Sequence, residues 1–374
     1  MAYGFANLPL QDLISPLAAA SSALARLDER LSGSPLRDGC IARQHFADAC
    51  ASLWIDGELV HLEDLVFHDA GFGIRTPTHE LTVAVDVLRL RRRIAAHPPD
   101  WALSTNGLRS LRGRGFASDA IAPETKSASP PDIEAIPTSE EGDDPLREHL
   151  AAIDAVLART EALLARSTGS GTSATPTQAR QRQRDPLVYE DDWNEDERLQ
   201  EWQAAAEQLE NLPPVLRAVL MLDAWNSLQV LQHAPWLGRL LAAAFLRQSG
   251  LAQAHLPSLN LGLKLIPRER RTSRNRTVRL IALLKALEAA AEAGLKEHDR
   301  LLLAQQQMQR RLVGKRQSSK LPQLIDLVLS FPMVSTGMIA EALKITPQGA
   351  LKLAGELNLR ELTGRGRFRA WGVL

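Results

Sequence analysis

The side chains best suited to chemistry lie near the C-terminus, at the start of a predicted helix. Thr346 and Pro347 are residue types that favour the N-cap and the first position of a helix. In the helix that follows, Gln348, Gly349 and Lys352 occupy positions opposite the apolar ones. Polar side chains at the start of such a helix can hydrogen-bond to base edges in the major groove of DNA. We therefore expect these residues, together with Thr346, to contact DNA.

Arginines are concentrated on a predicted hairpin that follows this helix. Glu361–Trp371 is predicted to form a strand, a glycine-containing tip and a second strand, and it carries Arg365, Arg367 and Arg369. In a winged helix-turn-helix, such a hairpin places cations along phosphates while the helix contacts bases. A helical hairpin with a terminal β-ribbon can also serve only in dimerisation or in docking on another domain. The glycine-flanked arginines favour phosphate contact.

The elements that must position these residues are two short helices joined by a tight turn. The first helix has an apolar stripe over residues 338–343, and the turn falls at Lys344 and Ile345. The second helix presents an apolar face to the core, formed by Ala350, Leu353, Ala354 and Leu357. This order predicts a helix-turn-helix.

Composition predicts a mainly α fold, a helical body with a C-terminal winged helix-turn-helix. The 374 residues suffice for two or three domains, and 45% are hydrophobic, with alanine and leucine abundant. We predict a helical region over residues 1–118, flexible linkers around one helix over 119–187, a helical core with a basic segment over 188–312, and the winged helix-turn-helix over 313–374. The linker assignment follows from stretches rich in proline, serine, glycine and charged residues.

Charge is distributed unevenly along a chain whose net charge is zero. Lys264–Leu374 contains 21 Lys/Arg against 9 Asp/Glu, a net charge of +12, so the remainder carries −12. This asymmetry indicates a polyanion as the partner of the C-terminal third, and it also permits attraction between the two parts of the chain.

The densest basic run precedes the C-terminal domain. We expect it to contact phosphates beside the DNA-contacting helix. A solvated face, or a partner surface for the acidic front of the chain, is the alternative. The residues of this additional basic patch are Arg268, Arg270, Arg271, Arg274 and Arg276.

Several classes of function find no support in the sequence. Two cysteines, Cys40 and Cys50, are too few for a disulfide framework or a cysteine-based zinc site. The histidines form no HExxH pair, and nucleotide-binding and hydrolase motifs are absent, so we expect no metal and no cofactor. No signal peptide and no apolar run of about 18 residues is evident. We expect a cytoplasmic protein that has no membrane contact.

Three segments, in the same order, resemble the Fic family. The first is Ala49–Gly57, where Ser52, Asp56 and Gly57 are similar to the family's inhibitory motif, with Asp in place of Glu. The second runs from Leu212 into Gln232–Leu241 and is similar to the helix and motif that carry the family's catalytic histidine. The third is the end of the chain, which resembles the winged helix of many Fic proteins. Fic proteins are helical enzymes that transfer AMP to a hydroxyl group of a target protein.

The resemblance departs from the family where the chemistry would take place. The match implies His233 as general base and Arg239 as the final arginine of the motif, but the two lie closer together than in the family. The glycine-rich turn that holds phosphates and the acidic metal ligand have no counterpart. We therefore predict a catalytically inactive Fic-like scaffold. His233 remains a weak catalytic candidate and is otherwise a capping or partly buried residue. The resemblance also implies that Asp56, near Ser52, pairs with Arg239 as a structural clamp.

These observations predict a bacterial DNA-binding protein, a transcriptional regulator, built on an inactive Fic-like scaffold and not an enzyme. Double-stranded DNA is the expected partner. A homodimer would supply paired half-sites, and a protein partner for the helical body is a further expectation. Two alternatives stay open. One is a divergent Fic-type nucleotidyltransferase with His233 as base, and the other is a protein-interaction scaffold.

Overall fold

Helices account for nearly all regular structure in the residues that the computed structural model describes, which are 8–71, 76–112, 193–312, 319–363 and 369–373. The helices are α1 (Leu10–Ser32), α2 (Arg37–Asp56), α3 (Leu62–Asp69), α4 (His79–Ala96), α5 (Thr105–Leu111), α6 (Glu195–Glu207), α7 (Pro214–Leu228), α8 (Leu237–Gln248), α9 (Leu259–Lys264), α10 (Arg268–Arg271), α11 (Arg276–Arg310), α12 (Leu321–Ser330), α13 (Thr336–Leu343) and α14 (Pro347–Glu356). The mainly α prediction is confirmed. The linkers and the helix predicted over 119–187 lie outside the described residues.

A small antiparallel sheet completes the C-terminal domain. Its strands are β1 (Val334–Ser335), β2 (Arg360–Glu361) and β3 (Ala370–Gly372), in the order β1-β3-β2. Trp371 of β3 pairs with Val334 on one side and with Glu361 on the other. The strand that precedes α13 therefore joins the two wing strands, which closes the helix-turn-helix against its wing.

The N-terminal helices and the helices after residue 193 share one hydrophobic core. The longest helix, α11, packs along α1 and across α9. Gly262 of α9 allows the close crossing, because a Cβ atom there would lie 1.9 Å from the main-chain oxygen of Ala286. The middle of this core is α7, whose nearly continuous apolar sequence is buried on most sides. The boundary predicted between 1–118 and 188–312 thus does not separate two cores.

A buried ion pair ties three parts of this core together. The guanidinium of Arg91 donates to Asp48 (2.5 Å) and to the main-chain oxygen of Leu256 (3.1 Å). Asp48 also accepts from the side chain of Asn260 (2.7 Å) and from the main-chain N–H of Leu261 (2.9 Å). Burial lowers the pKa of Arg91, and the Asp48 carboxylate opposes that shift. Removing either partner would leave a buried charge, at a cost of about 3–5 kcal/mol.

Candidate nucleic-acid interface

The helix-turn-helix is defined by two capped helices. At the start of α13, the Ser335 hydroxyl accepts a hydrogen bond from the main-chain N–H of Met338 (3.1 Å). The helix ends at Lys344, which adopts the left-handed conformation with φ of 50°. At the start of α14, the Thr346 hydroxyl accepts from the N–H of Gly349 (3.2 Å), and Pro347 takes the first helical position. The predicted turn and the predicted Thr346 cap are confirmed.

The start of α14 presents a polar face to solvent. Gln348 and Lys352 are exposed and Gly349 is half-buried, whereas Ala350 and Ala354 are buried in the domain. The predicted division of this helix into a core face and an outward face agrees with the structure at these positions.

Leu351 also belongs to the outward face of α14, and sequence reasoning did not identify it. Its side chain is 37% exposed, one position before Lys352 and three after Gln348. The spacing of Leu351 from Gln348 could have indicated its exposure, because residues three apart on a helix lie on the same side. An exposed leucine between polar side chains is suited to contact with an apolar group of DNA.

The wing is described only at its base. Arg369, which we expect to contact phosphate, donates to the Glu361 carboxylate from Nε (3.0 Å) and Nη2 (2.7 Å). Its guanidinium carbon also lies 5.5 Å from the centre of the Trp371 ring. The Glu361 hydrogen bond raises the pKa of Arg369. Arg369 therefore connects β2 and β3 across the hairpin. Arg365 and Arg367 lie outside the described residues.

The helix-turn-helix is docked on the helical body through α2. The buried Arg43 of α2 donates to the main-chain oxygens of Val328 (2.7 Å) and Pro332 (3.5 Å), at the end of α12. Gly39 permits this approach, because a Cβ atom there would lie 2.2 Å from the main-chain oxygen of Leu329. Sequence reasoning missed both residues, since one arginine and one glycine in a predicted helix carry no signal of a distant contact.

Two more cations stabilise helix ends within the domain. Arg311 donates to the main-chain oxygen of Leu357, at the end of α14, and Lys320 donates to that of Leu343, at the end of α13. Cations at helix C-termini satisfy free carbonyl groups and interact favourably with the helix dipole. These two cations therefore serve the domain's own fold.

The additional basic patch lies at the opposite end of α11 from the helix-turn-helix. Arg268, Arg270 and Arg271 belong to α10, just before α11 begins, whereas Arg311 follows its end. The 35 residues of α11 span roughly 52 Å, at about 1.5 Å per residue. The expectation that this patch adjoins the DNA-contacting helix is therefore corrected. Asp223 lies 3.6 Å from Arg276, so Arg276 is in an ion pair.

The three residues of the expected clamp are in contact. Arg239 donates to both carboxylate oxygens of Asp56 (3.0 and 2.6 Å) and to the Ser52 hydroxyl (3.0 Å). Arg239 is buried near the start of α8, and Asp56 is the last residue of α2. Gly57 then ends the helix in the left-handed conformation, with φ of 96°. The pair joins the N-terminal helices to the helices after residue 193.

His233 pairs with a carboxylate at the start of α6. Its Nδ1 lies 2.9 Å from Glu195 Oε1, and its side chain is 32% exposed while that of Glu195 is 9% exposed. This contact fixes the loop before α8 against α6. Within the ranges described above, no group of three or more metal-ligating side chains is placed to hold an ion. Nor does any helix in those ranges combine the length and apolar character that a membrane span requires.

Comparison with known proteins places the start of the C-terminal domain at the first residue of α12. Residues 321–374 match a helix-turn-helix DNA-binding domain, beginning at the first residue of α12, and residues 187–313 match a protein family of unknown function (DUF1612). Neither match is to the Fic family, so that resemblance is unsupported. The chain is 53% identical over 386 residues to the uncharacterized protein y4cF of Sinorhizobium fredii (strain NBRC 101917 / NGR234), with 100% of both chains covered. The protein therefore belongs to the same family as y4cF.

Proposed function

We propose that the protein is a bacterial transcriptional regulator that binds double-stranded DNA at specific sequences through α14. The observation that carries this proposal is the outward face of α14, where exposed Gln348 and Lys352 stand on a helix anchored by buried Ala350 and Ala354. The match of residues 321–374 to a DNA-binding domain supports the same conclusion.

The chemistry of the outward face predicts which bases it prefers. A glutamine amide can form two hydrogen bonds with N6 and N7 of adenine, and a lysine ammonium can donate to O6 and N7 of guanine. Leu351, between Gln348 and Lys352, can contact the methyl group of thymine. We expect Arg365 and Arg367 to contact phosphates, so their replacement by alanine should weaken binding to every sequence.

We also propose that the helical body has a structural or sensing role in the cytoplasm and no catalytic one. The Asp56–Arg239 pair engages both Nη atoms of the arginine, and His233 is held by Glu195. More specifically, we propose that the helices of the body are arranged as in Fic proteins. Support for it comes from the contact of Ser52, Asp56 and Arg239, which the resemblance implies.

The deciding experiment is selection of the full-length protein on a random pool of double-stranded DNA, followed by sequencing, at two salt concentrations. Recovery of a motif by the wild type, with a changed motif for Gln348→Ala, is the expected result. An inverted repeat would in addition indicate a homodimer. Uniform recovery of all sequences, or the same motif for wild type and Gln348→Ala, would contradict base contact by α14.

A further inference from the structure

A second cationic surface lies far from the helix-turn-helix. We define the Trp54 surface as the exposed indole at the end of α2 together with the cations of the segment 264–274, which are Lys264, Arg268, Arg270, Arg271 and Arg274. Residues 264–279 contain seven Lys/Arg and one Glu, a net charge of +6. None of the residues of α10 is buried. This short helix therefore adds little to the core and mainly presents charge.

The indole holds two of these cations in place. Trp54 is 40% exposed, and its ring centre lies 5.6 Å from the Lys264 ammonium and 5.4 Å from the Arg271 guanidinium carbon. Cations within about 6 Å of an indole face are attracted by the ring's electron density. Both head groups are thus ordered near the surface without a carboxylate as partner.

Four arginines of this surface form no ion pair with any carboxylate of the described chain. In the ranges that the structure covers, no carboxylate lies within ion-pair distance of Arg268, Arg270, Arg271 or Arg274. Burial, Arg239 and Arg268 lower the pKa of Arg271, in that order, and the carboxylates of Asp56 and Glu269 oppose that shift without cancelling it. Crowded cations repel one another, and a bound polyanion would relieve that repulsion.

The loop between α10 and α11 is attached to the core by ion pairs and a helix cap. Asp223, buried in α7, is paired with Arg279 and lies 3.6 Å from Arg276. Asn275 caps α11 by accepting a hydrogen bond from the N–H of Val278 (3.3 Å). The loop that carries Arg274 is therefore attached to the core, so the cations need little further ordering when a ligand binds.

We propose that the Trp54 surface binds the phosphate backbone of duplex DNA independently of α14, so that one chain contacts DNA at two places. The choice of DNA as the polyanion rests on the proposed function. The two surfaces lie towards opposite ends of α11, a helix of 35 residues that is roughly 52 Å long. Contacts at the Trp54 surface are with phosphates alone, and they are therefore independent of sequence and strongly dependent on salt.

The test is a count of short duplexes bound per chain. A labelled non-specific duplex of about 12 base pairs is about 41 Å long at 3.4 Å per pair, which is shorter than α11, and an excess of duplex lets each surface bind its own copy. Sedimentation of the full-length protein with excess duplex at low salt then measures the number bound. We expect two duplexes per chain for the wild type and one for Arg268→Ala/Arg270→Ala/Arg274→Ala.

Two further variants separate the outcomes. Arg26→Ala/Arg109→Ala/Lys296→Ala removes the same charge from exposed positions elsewhere and should still bind two duplexes. Arg365→Ala/Arg367→Ala removes the phosphate contacts expected of the C-terminal domain and should retain one duplex, at the Trp54 surface. If the Arg268 triple variant binds as many duplexes as the wild type, the inference is wrong even though binding at α14 stands. If Arg365→Ala/Arg367→Ala behaves as the wild type while the Arg268 triple variant loses a duplex, the inference stands and the proposed DNA binding by the C-terminal domain fails.

Discussion

Arg43 and Val328 join the helical body to the DNA-binding domain. The guanidinium of Arg43, buried in α2, donates a hydrogen bond of 2.7 Å to the main-chain oxygen of Val328 in the last turn of α12. Glu297 of α11 lies 3.8 Å from the same guanidinium. Arg43 therefore connects α2 with both α12 of the domain and α11 of the body.

Arg43→Met is expected to loosen the domain without unfolding the body. Loss of a buried charged hydrogen bond should lower the free energy of unfolding by about 1.5–3 kcal/mol. Hydrogen exchange should accelerate over residues 321–357 and remain slow in α7. Denaturant titration and exchange measured by mass spectrometry provide both readouts. Arg26→Met, at an exposed position of α1, is the control and should change neither. Equal exchange in the two variants would contradict a docking role for Arg43.

The Asp56–Arg239 pair is expected to show measurable coupling. A double-mutant cycle of Asp56→Ala and Arg239→Ala should give a coupling energy of about 1–3 kcal/mol, because the Arg239 side chain is 8% exposed and the pair is bidentate. The Arg30–Asp299 pair, with side chains 50% and 62% exposed, should couple by less than about 1 kcal/mol. Coupling at Asp56–Arg239 no larger than at the exposed pair would show that the clamp contributes little.

His45 is expected to make the protein less stable in mild acid. Burial, followed by the charges of Arg91 and Arg92, lowers the pKa of His45 well below its usual value. As pH falls through about 6.5, the unfolded chain takes up a proton that the folded chain does not. The free energy of unfolding should then fall by up to about 1.4 kcal/mol per pH unit.

The measurement is denaturant unfolding at several values between about pH 7 and pH 5. His45→Gln should flatten the dependence on pH, and His61→Gln, at an exposed position, should leave it as in the wild type. An unchanged slope in His45→Gln would assign the acid sensitivity to other groups.

Leu351 is expected to distinguish thymine from uracil at one position of the selected site. Replacing thymidine by deoxyuridine removes one methyl group, worth about 0.8 kcal/mol when buried, or about fourfold in Kd. The wild-type protein should bind the deoxyuridine duplex more weakly when the replacement is made at one particular position. Leu351→Ala should bind the thymidine and deoxyuridine duplexes equally well. Leu302→Ala, exposed on α11, is the matched control. A Leu351→Ala variant that still discriminates would exclude this contact.

Local features of the C-terminal domain could be predicted from the sequence because their causes are local. The Thr346 cap, Pro347 at the first helical position and the apolar spacing of α14 each depend on residues a few positions apart. The contact of Ser52, Asp56 and Arg239 was expected only through a family resemblance, and the comparisons do not support that family.

Only the tertiary structure showed which groups the charged side chains contact. The sequence did not show that Arg369 pairs with Glu361 across the hairpin or that Arg311 binds the end of α14. It also placed the cations before α11 close to the domain, whereas α11 separates them.

The physical reason is that helix caps and apolar periodicity act over one or two helical turns, whereas the partner of a charge depends on how distant segments pack. Arg43 and Val328 are 285 residues apart in the chain, and Arg239 and Asp56 are 183 apart. The sequence by itself therefore determined a helical chain that ends in a helix-turn-helix. The packing of α2 and α11 decided how that domain is held and which cations remain for a ligand.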